Sequence, residues 1–156
     1  VNLRTIILDT LELCMARFRA YGVELRFNDS GESVEVEGRE TQISQVLVNL
    51  LNNAFDATVG REHAWVEIEL RDLSGWAEIA VTDNGVGISE EYVNRIFDAY
   101  FSTKDASKGT GLGLSISKTL VLHHGGELFL DRDHDYTRFV VRLPKRQKKK
   151  GKKEGT

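Results

Sequence analysis

The sequence predicts an α+β domain: a two-layer α/β sandwich in which a mixed, mostly antiparallel sheet of about five strands packs on three helices. Three observations lead there. Apolar residues recur at steps of three and four in three long stretches, which is helical spacing. In other stretches they alternate, in short runs bounded by Gly, Asn, Asp and Ser, which is strand spacing. The later alternating runs come as neighbours joined by polar turns, which suits antiparallel pairing.

The elements follow in order. Leu3, Ile7, Leu11, Cys14 and Phe18 mark the first helix, and Gly22 is placed to end it. VELRF (23–27) and VEVE (34–37) alternate as strands, with Asn28, Asp29, Ser30 and Gly31 between them. A long helix covers 40–58. AWVEIEL (64–70) and WAEIAVT (76–82) are two strands joined by Asp72, Ser74 and Gly75. A loop-rich segment from Asp83 to Lys108 holds one short helix, with Ser89 as N-cap and Glu90 and Glu91 in its first turn. A third long helix, 112–124, stops at Gly125-Gly126. GELFL (126–130) and TRFVVRL (137–143) form a closing hairpin that ends at Pro144.

The bulk numbers narrow the class. At 156 residues, with 40% apolar and 29% charged residues, the chain is one globular domain with a real core. It begins at Val1 and reads as a fragment, with no signal peptide and no membrane-length apolar run. A single cysteine excludes an internal disulfide, and its place on an apolar stripe makes Cys14 a small core residue in a reducing, cytoplasmic compartment, whether or not the parent is membrane-anchored. Residues 145–156 hold seven Lys/Arg and one Glu, whereas 1–144 hold 14 basic and 23 acidic residues. The basic tail is expected to be disordered. The acidic body, 1–144, argues against a nucleic-acid groove.

The 40–58 helix carries the strongest chemical signal. Ile43, Val46, Leu47, Leu50, Leu51, Ala54 and Phe55 build one buried face. Gln45, Asn49, Asn52, Asn53 and Asp56 form a second stripe. Asn costs about 0.5 kcal/mol against Ala inside a helix, so a solvated face would favour Lys, Glu or Gln. Amide oxygens and a carboxylate in a line suit a hard cation and phosphate.

Two glycine-bearing loops add to this. DNGVGI (83–88) follows a strand directly, so Asp83 can accept from a donor, such as an adenine amino group, while bare backbone approaches a flat ligand. STKDASKGTGLGLSIS (102–117) alternates Gly109, Gly111 and Gly113 before a helix, where free N–H groups and the helix N-terminus attract anions; Lys104 and Lys108 add charge. It is neither a Walker A loop nor a dinucleotide fingerprint, because no Gly-Lys-Ser/Thr follows and no strand leads in.

In this order the segments resemble the catalytic domain of sensor histidine kinases, the Bergerat ATP-binding fold. QVLVNLLNNAFDA is similar to the family's N box, DNGVGI to its first glycine box, IFDAYFSTK (96–104) to its F box, and GTGLGLSISK (109–118) to its second glycine box. The resemblance covers about residues 1–144, HHGGELFLD and the final hairpin included. It implies that Asp83 binds the adenine amino group, with Gly85, Gly87 and Ile88 beside the base. It implies that Asn53 binds Mg2+ and that Asn49 lies near the phosphates of ATP. Phe97 and Phe101 would anchor a lid. Gly109, Gly111 and Gly113 would flank the phosphates, with Thr110, Leu112 and Leu114 adjoining, and Thr103, Lys104 and Lys108 would line the same site. Asn49, Asn53 and Lys104 are the expected catalytic residues.

Two positions depart from the family pattern. Asp56, counted among the nucleotide-lining residues, stands where many members carry Lys or Arg, and Ala57 stands where some have an aromatic. Lys104 or Lys108 then supplies the phosphate charge.

The function so implied is transfer of the γ-phosphoryl group from Mg-ATP to a histidine on a separate dimerisation domain of the parent kinase, which signals to a response-regulator receiver domain. His63, His123, His124 and His134 sit outside any phosphoacceptor motif, so the target is expected elsewhere, and the fragment itself is expected to be monomeric. Two rivals remain open. The first is a hydrolytic ATPase related to gyrase B, mismatch-repair and heat-shock chaperone proteins. Those carry a Glu to activate water where this chain has Asn49, and an amide is no general base. The second is an ATP-binding module without catalysis.

Overall fold

The computed structural model describes residues 1–101 and 113–146. Helix α1 (Leu3–Ala20) starts at Asn2, whose side chain accepts from the Thr5 N–H, and ends at Tyr21, followed by Gly22 in the left-handed region. Helix α2 (Glu40–Thr58) buries the whole predicted apolar face, Ile43, Val46, Leu47, Leu50, Leu51, Ala54 and Phe55, and Thr58 as well. It runs between α1 and the third helix, α3 (Gly113–His123), and packs on the sheet behind. Phe18 of α1 meets Phe55 of α2 edge-on at 5.1 Å.

The sheet has five strands: β1 (Glu24–Asn28), β2 (Trp65–Leu73), β3 (Trp76–Asp83), β4 (Glu127–Leu130) and β5 (Thr137–Pro144). Their spatial order is β1-β2-β3-β5-β4. Only β1 and β2 are parallel, because α2 lies between them in the chain and returns it to the same end of the sheet. The other pairs are antiparallel. The expected mixed sheet on three helices is the observed fold.

Alternation on β3 and β5 explains why two layers suffice. Ile79, Val81, Phe139 and Val141 enter the core against the helices. Glu78, Thr82 and Arg138 point to the other face and are nonetheless buried. Arg138 reaches Glu69 at 2.9 Å and Thr82 at 3.3 Å, and Arg142 reaches Glu78 at 3.0 Å. This paired lattice satisfies the charges, so that face needs no covering helices.

Three predicted elements differ. Residues 34–37 alternate in burial, with Val34 and Val36 inside, but they form two isolated bridges, Asn2 with Glu35 and Val36 with Lys145. Their partners are the N-cap residue of α1 and the residue that follows β5, so neither bridge lies within a named strand. The Ser89 helix is instead a run of turns: Tyr92 bonds Ser89, Arg95 bonds Tyr92, Asp98 bonds Arg95 and Phe101 bonds Asp98. Each N–H reaches back three residues, which is tighter than α-helical, although the Ser89 hydroxyl still accepts from Glu91. Third, the fold continues past 144: Lys145 N–H bonds Gly75 and Arg146 N–H bonds Glu35. The remainder of the predicted tail lies outside the described residues. Cys14 is half-buried against the core, and burial pushes its thiol up. No helix among the described residues is long and apolar enough to cross a membrane.

Candidate functional site

The site is organised along α2. Asp83 ends β3 with only 2% of its surface exposed. The strand stops there because Asn84 turns back. Its side chain accepts from the Trp65 N–H at 2.8 Å and donates to the His63 carbonyl at 2.9 Å, closing the start of β2. The Gly85 N–H donates to an Asp83 carboxylate oxygen at 2.9 Å. Burial pushes the Asp83 carboxyl up to about 6; the Gly85 N–H and the Arg61 charge offset part of that rise.

The two glycines of this loop serve different ends. A Cβ on Gly85 would lie 2.3 Å from the Ala57 carbonyl oxygen of α2, so only glycine lets the loop lie on the helix. The next residue seals the contact, Val86 N–H donating to Ala57 O at 3.1 Å. Gly87 has φ +80 with open space around it, so its need is conformational. Ile88 is half-buried and packs on the core.

Asn53 lies one helical turn before Ala57, and Asn49 one turn before that, each step about 6 Å along the axis. Asn53 is half-buried, and its side chain makes no hydrogen bond to a described residue. The Asn49 amide nitrogen donates to Ser117 Oγ at 3.0 Å and to the Gly113 carbonyl at 3.3 Å, both on α3. Asn52 turns the other way and accepts from Arg17 of α1 at 3.1 Å, while the Arg17 guanidinium lies 4.1 Å over the Phe55 ring. Gln45 is exposed and Asp56 is half-buried and engaged. The single stripe read from the sequence is therefore divided: Asn52 ties α2 to α1, Asn49 ties it to the start of α3, and Asn53 lies between Asn49 and the Ala57 contact with the first glycine loop.

The aromatics of the 96–104 segment are half-buried against neighbouring side chains. Phe97 meets Phe139 edge-on at 6.0 Å, and Phe101 lies 5.5 Å from Tyr92 with Arg95 4.6 Å over its ring. Lys118 of α3 lies 4.6 Å over Phe97 and donates to the Leu128 carbonyl at 3.1 Å. Gly113 opens α3 and is exposed, while Leu114 is half-buried against the core. Thr103, Lys104, Lys108, Gly109, Thr110, Gly111 and Leu112 lie outside the described residues. Ser117 and Lys118 were not singled out from the sequence. Their signal was present: a hydroxyl and a charge set among the apolar residues of a helix that follows a glycine run.

Comparison with known proteins gives the family of the chain. Residues 38–147 match the family model described as histidine kinase-, DNA gyrase B- and HSP90-like ATPase. The two-component sensor PprA of Pseudomonas aeruginosa is 40% identical over 131 residues, 81% of this chain and 14% of that protein. Sensor histidine kinase ZraS of Escherichia coli K12 is 34% identical over 128 residues, 82% of this chain and 27% of that protein. The chain thus spans about a third or less of the length of such relatives. Among solved structures, a nucleotide-free form of the catalytic domain of histidine kinase ThkA is 32% identical, covers 92% of this chain and 95% of its own, and superposes with a TM-score of 0.81.

With a deep carboxylate at one strand end and an asparagine helix against the glycine loop that follows it, the chain belongs to the histidine kinase-, DNA gyrase B- and HSP90-like ATPase family. Within that family it is a catalytic domain of the sensor histidine kinase kind.

Proposed function

We propose that this domain binds Mg-ATP along α2 and presents the γ-phosphoryl group to a histidine on a separate dimerisation domain of its parent protein. The observation that carries the reading is the spacing on α2. The first glycine loop touches the helix at Ala57, α3 begins against Asn49, and Asn53 stands between them. A nucleotide laid along this ruler would put its adenine amino group on Asp83 and its metal-bound phosphates by Asn53.

Magnesium fits the donors on offer. Asn53 supplies a neutral amide oxygen, a hard donor suited to a hard cation. Among the described residues no cluster of three His, Cys, Asp or Glu could cage a metal, which suits an ion held mostly by phosphates and water. When bound, the ion would offset triphosphate charge. The protein's share is positioning: Asp83 fixes the base, Gly85 and Gly87 let backbone approach it, and Phe97 and Phe101 pack just before the segment that carries Lys104 and Lys108 in the sequence. We assign phosphate contacts to those two lysines with Gly109, Thr110, Gly111, Leu112 and Gly113, and lining contacts to Ile88, Thr103, Asp56 and Leu114. ThkA has been solved with the response regulator protein TrrA, and we propose a receiver domain as the eventual phosphoryl acceptor here as well. The cytoplasm is the compartment that suits the lone, half-buried Cys14 thiol.

The test is direct. The domain is mixed with a dimerisation domain bearing the acceptor histidine, labelled ATP and magnesium. Acid-labile, base-stable phosphate on that domain is the expected result. Free phosphate without labelled protein would make the chain a hydrolase, and nucleotide binding without either would make it a binding module.

A further inference from the structure

Ser117 is fully buried, on α3, and its one described side-chain partner is the Asn49 amide. A buried hydroxyl without a partner is costly, so this contact fixes both side chains. The same amide nitrogen also reaches the Gly113 carbonyl. A carbonyl only accepts, so the nitrogen of the amide must face α3 and its oxygen must face away.

That orientation has a chemical consequence. An amide NH2 carries two hydrogens, and both are taken by α3. The one atom of Asn49 left to meet a ligand is Oδ1, an acceptor. Phosphate oxygens are acceptors too, and two acceptors cannot bond without something positive between them. Asn49, expected near the phosphates, can then act on a triphosphate only through a cation or its waters.

We propose that Ser117 is a positioning residue: together with the Gly113 carbonyl it holds the Asn49 amide in the orientation that presents Oδ1 to the metal side of the nucleotide. The proposal rests on the reading of α2 as the nucleotide-binding helix. It makes the α2–α3 contact part of metal recognition as well as of packing. A free Asn49 amide could rotate and offer N–H to the site; the pinned one cannot.

The experiment measures ATP dissociation constants by calorimetry, with magnesium and with chelator, for the wild type, Ser117→Ala, Asn49→Ala and the double variant. The wild type is expected to bind more tightly with magnesium. Ser117→Ala should lose about fivefold of that gain, the size of one lost hydrogen bond, with metal-free affinity kept within about twofold. A merely structural role would weaken both conditions alike. The double variant should bind as Asn49→Ala does, because Ser117 acts through Asn49. If Ser117→Ala does not fold, Ser117→Cys, of similar volume and poor acceptor strength, takes its place. An unchanged magnesium gain in the Ser117 variant, or losses that add in the double variant, overturns the proposal. Absence of any ATP binding in the wild type would instead overturn the reading of the helix itself.

Discussion

Asp83 is 2% exposed, bonded to one backbone N–H, and held near a carboxyl midpoint of about 6. Asn53 is half-buried and neutral, and its side chain has no described hydrogen bond. One end of the site is thus a desolvated charge built into the fold before any ligand arrives. The other is an uncharged oxygen that waits for a ligand bringing its own charge. The difference is one of cost. A buried carboxylate works against folding but grips a donor strongly once it is met. A half-buried amide costs the fold little and gains strength only when a cation is present.

Removing the charge at the first end sharpens that contrast most. Asp83→Asn should weaken ATP binding by about 10- to 150-fold, the value of a charge-assisted bond of roughly 1.5–3 kcal/mol. The same change should stabilise the domain at pH 7, by on the order of 2 kcal/mol, because the folded carboxyl midpoint is raised above the ordinary value of 3.8. Calorimetry and urea unfolding would record these opposite signs, and a destabilised variant with unchanged affinity would break the comparison.

pH separates the ends next. The folded state binds more protons than the unfolded chain between about pH 4 and 6, so Asp83's contribution makes stability fall as pH rises through that window. Binding should run the other way. ATP affinity should drop as pH falls through about 6, approaching tenfold per unit below it, and the Asp83→Asn variant should lack that step.

At the metal end, Asn53→Ala should cost about tenfold in ATP affinity with magnesium and little with chelator. Equal losses in both conditions would remove the metal from the account. The smallest effect belongs to the neighbour that faces away. Asn52→Ala should leave affinity unchanged and cost about 0.5–1 kcal/mol of stability through its lost bond to Arg17, as measured by urea unfolding.

These two adjacent asparagines also show where sequence reading stops. The apolar residues of α2's buried face were all legible, because helical periodicity and burial are the same fact seen twice. So were the antiparallel strands and Asp83 at a strand end. Buried Thr58, a polar residue, was not. The roles within the asparagine stripe were not, because residues on one helix side can turn to different neighbours, and only packing decides between α1 and α3. VEVE alternates as a strand does, yet pairing needs a partner ladder that the sequence does not display locally. The turns after Ser89 carried a helix-start signal, but their i to i−3 bonding is a tertiary outcome that brings Phe97 and Phe101 inward. Ser117 and Lys118 passed as ordinary positions on a helix, since their partners lie 68 and 21 residues or less away along the chain, in other elements.

The account turns on an ionised, buried Asp83 receiving the base. NMR titration of its side-chain carboxyl carbon, free and saturated with nucleotide, tests this most directly. The predicted midpoint is about 6 in the free domain and lower with nucleotide bound, because a ligand that donates to the carboxylate favours its charged form. A midpoint that nucleotide leaves unmoved, in a domain that does bind it, would put the base somewhere else.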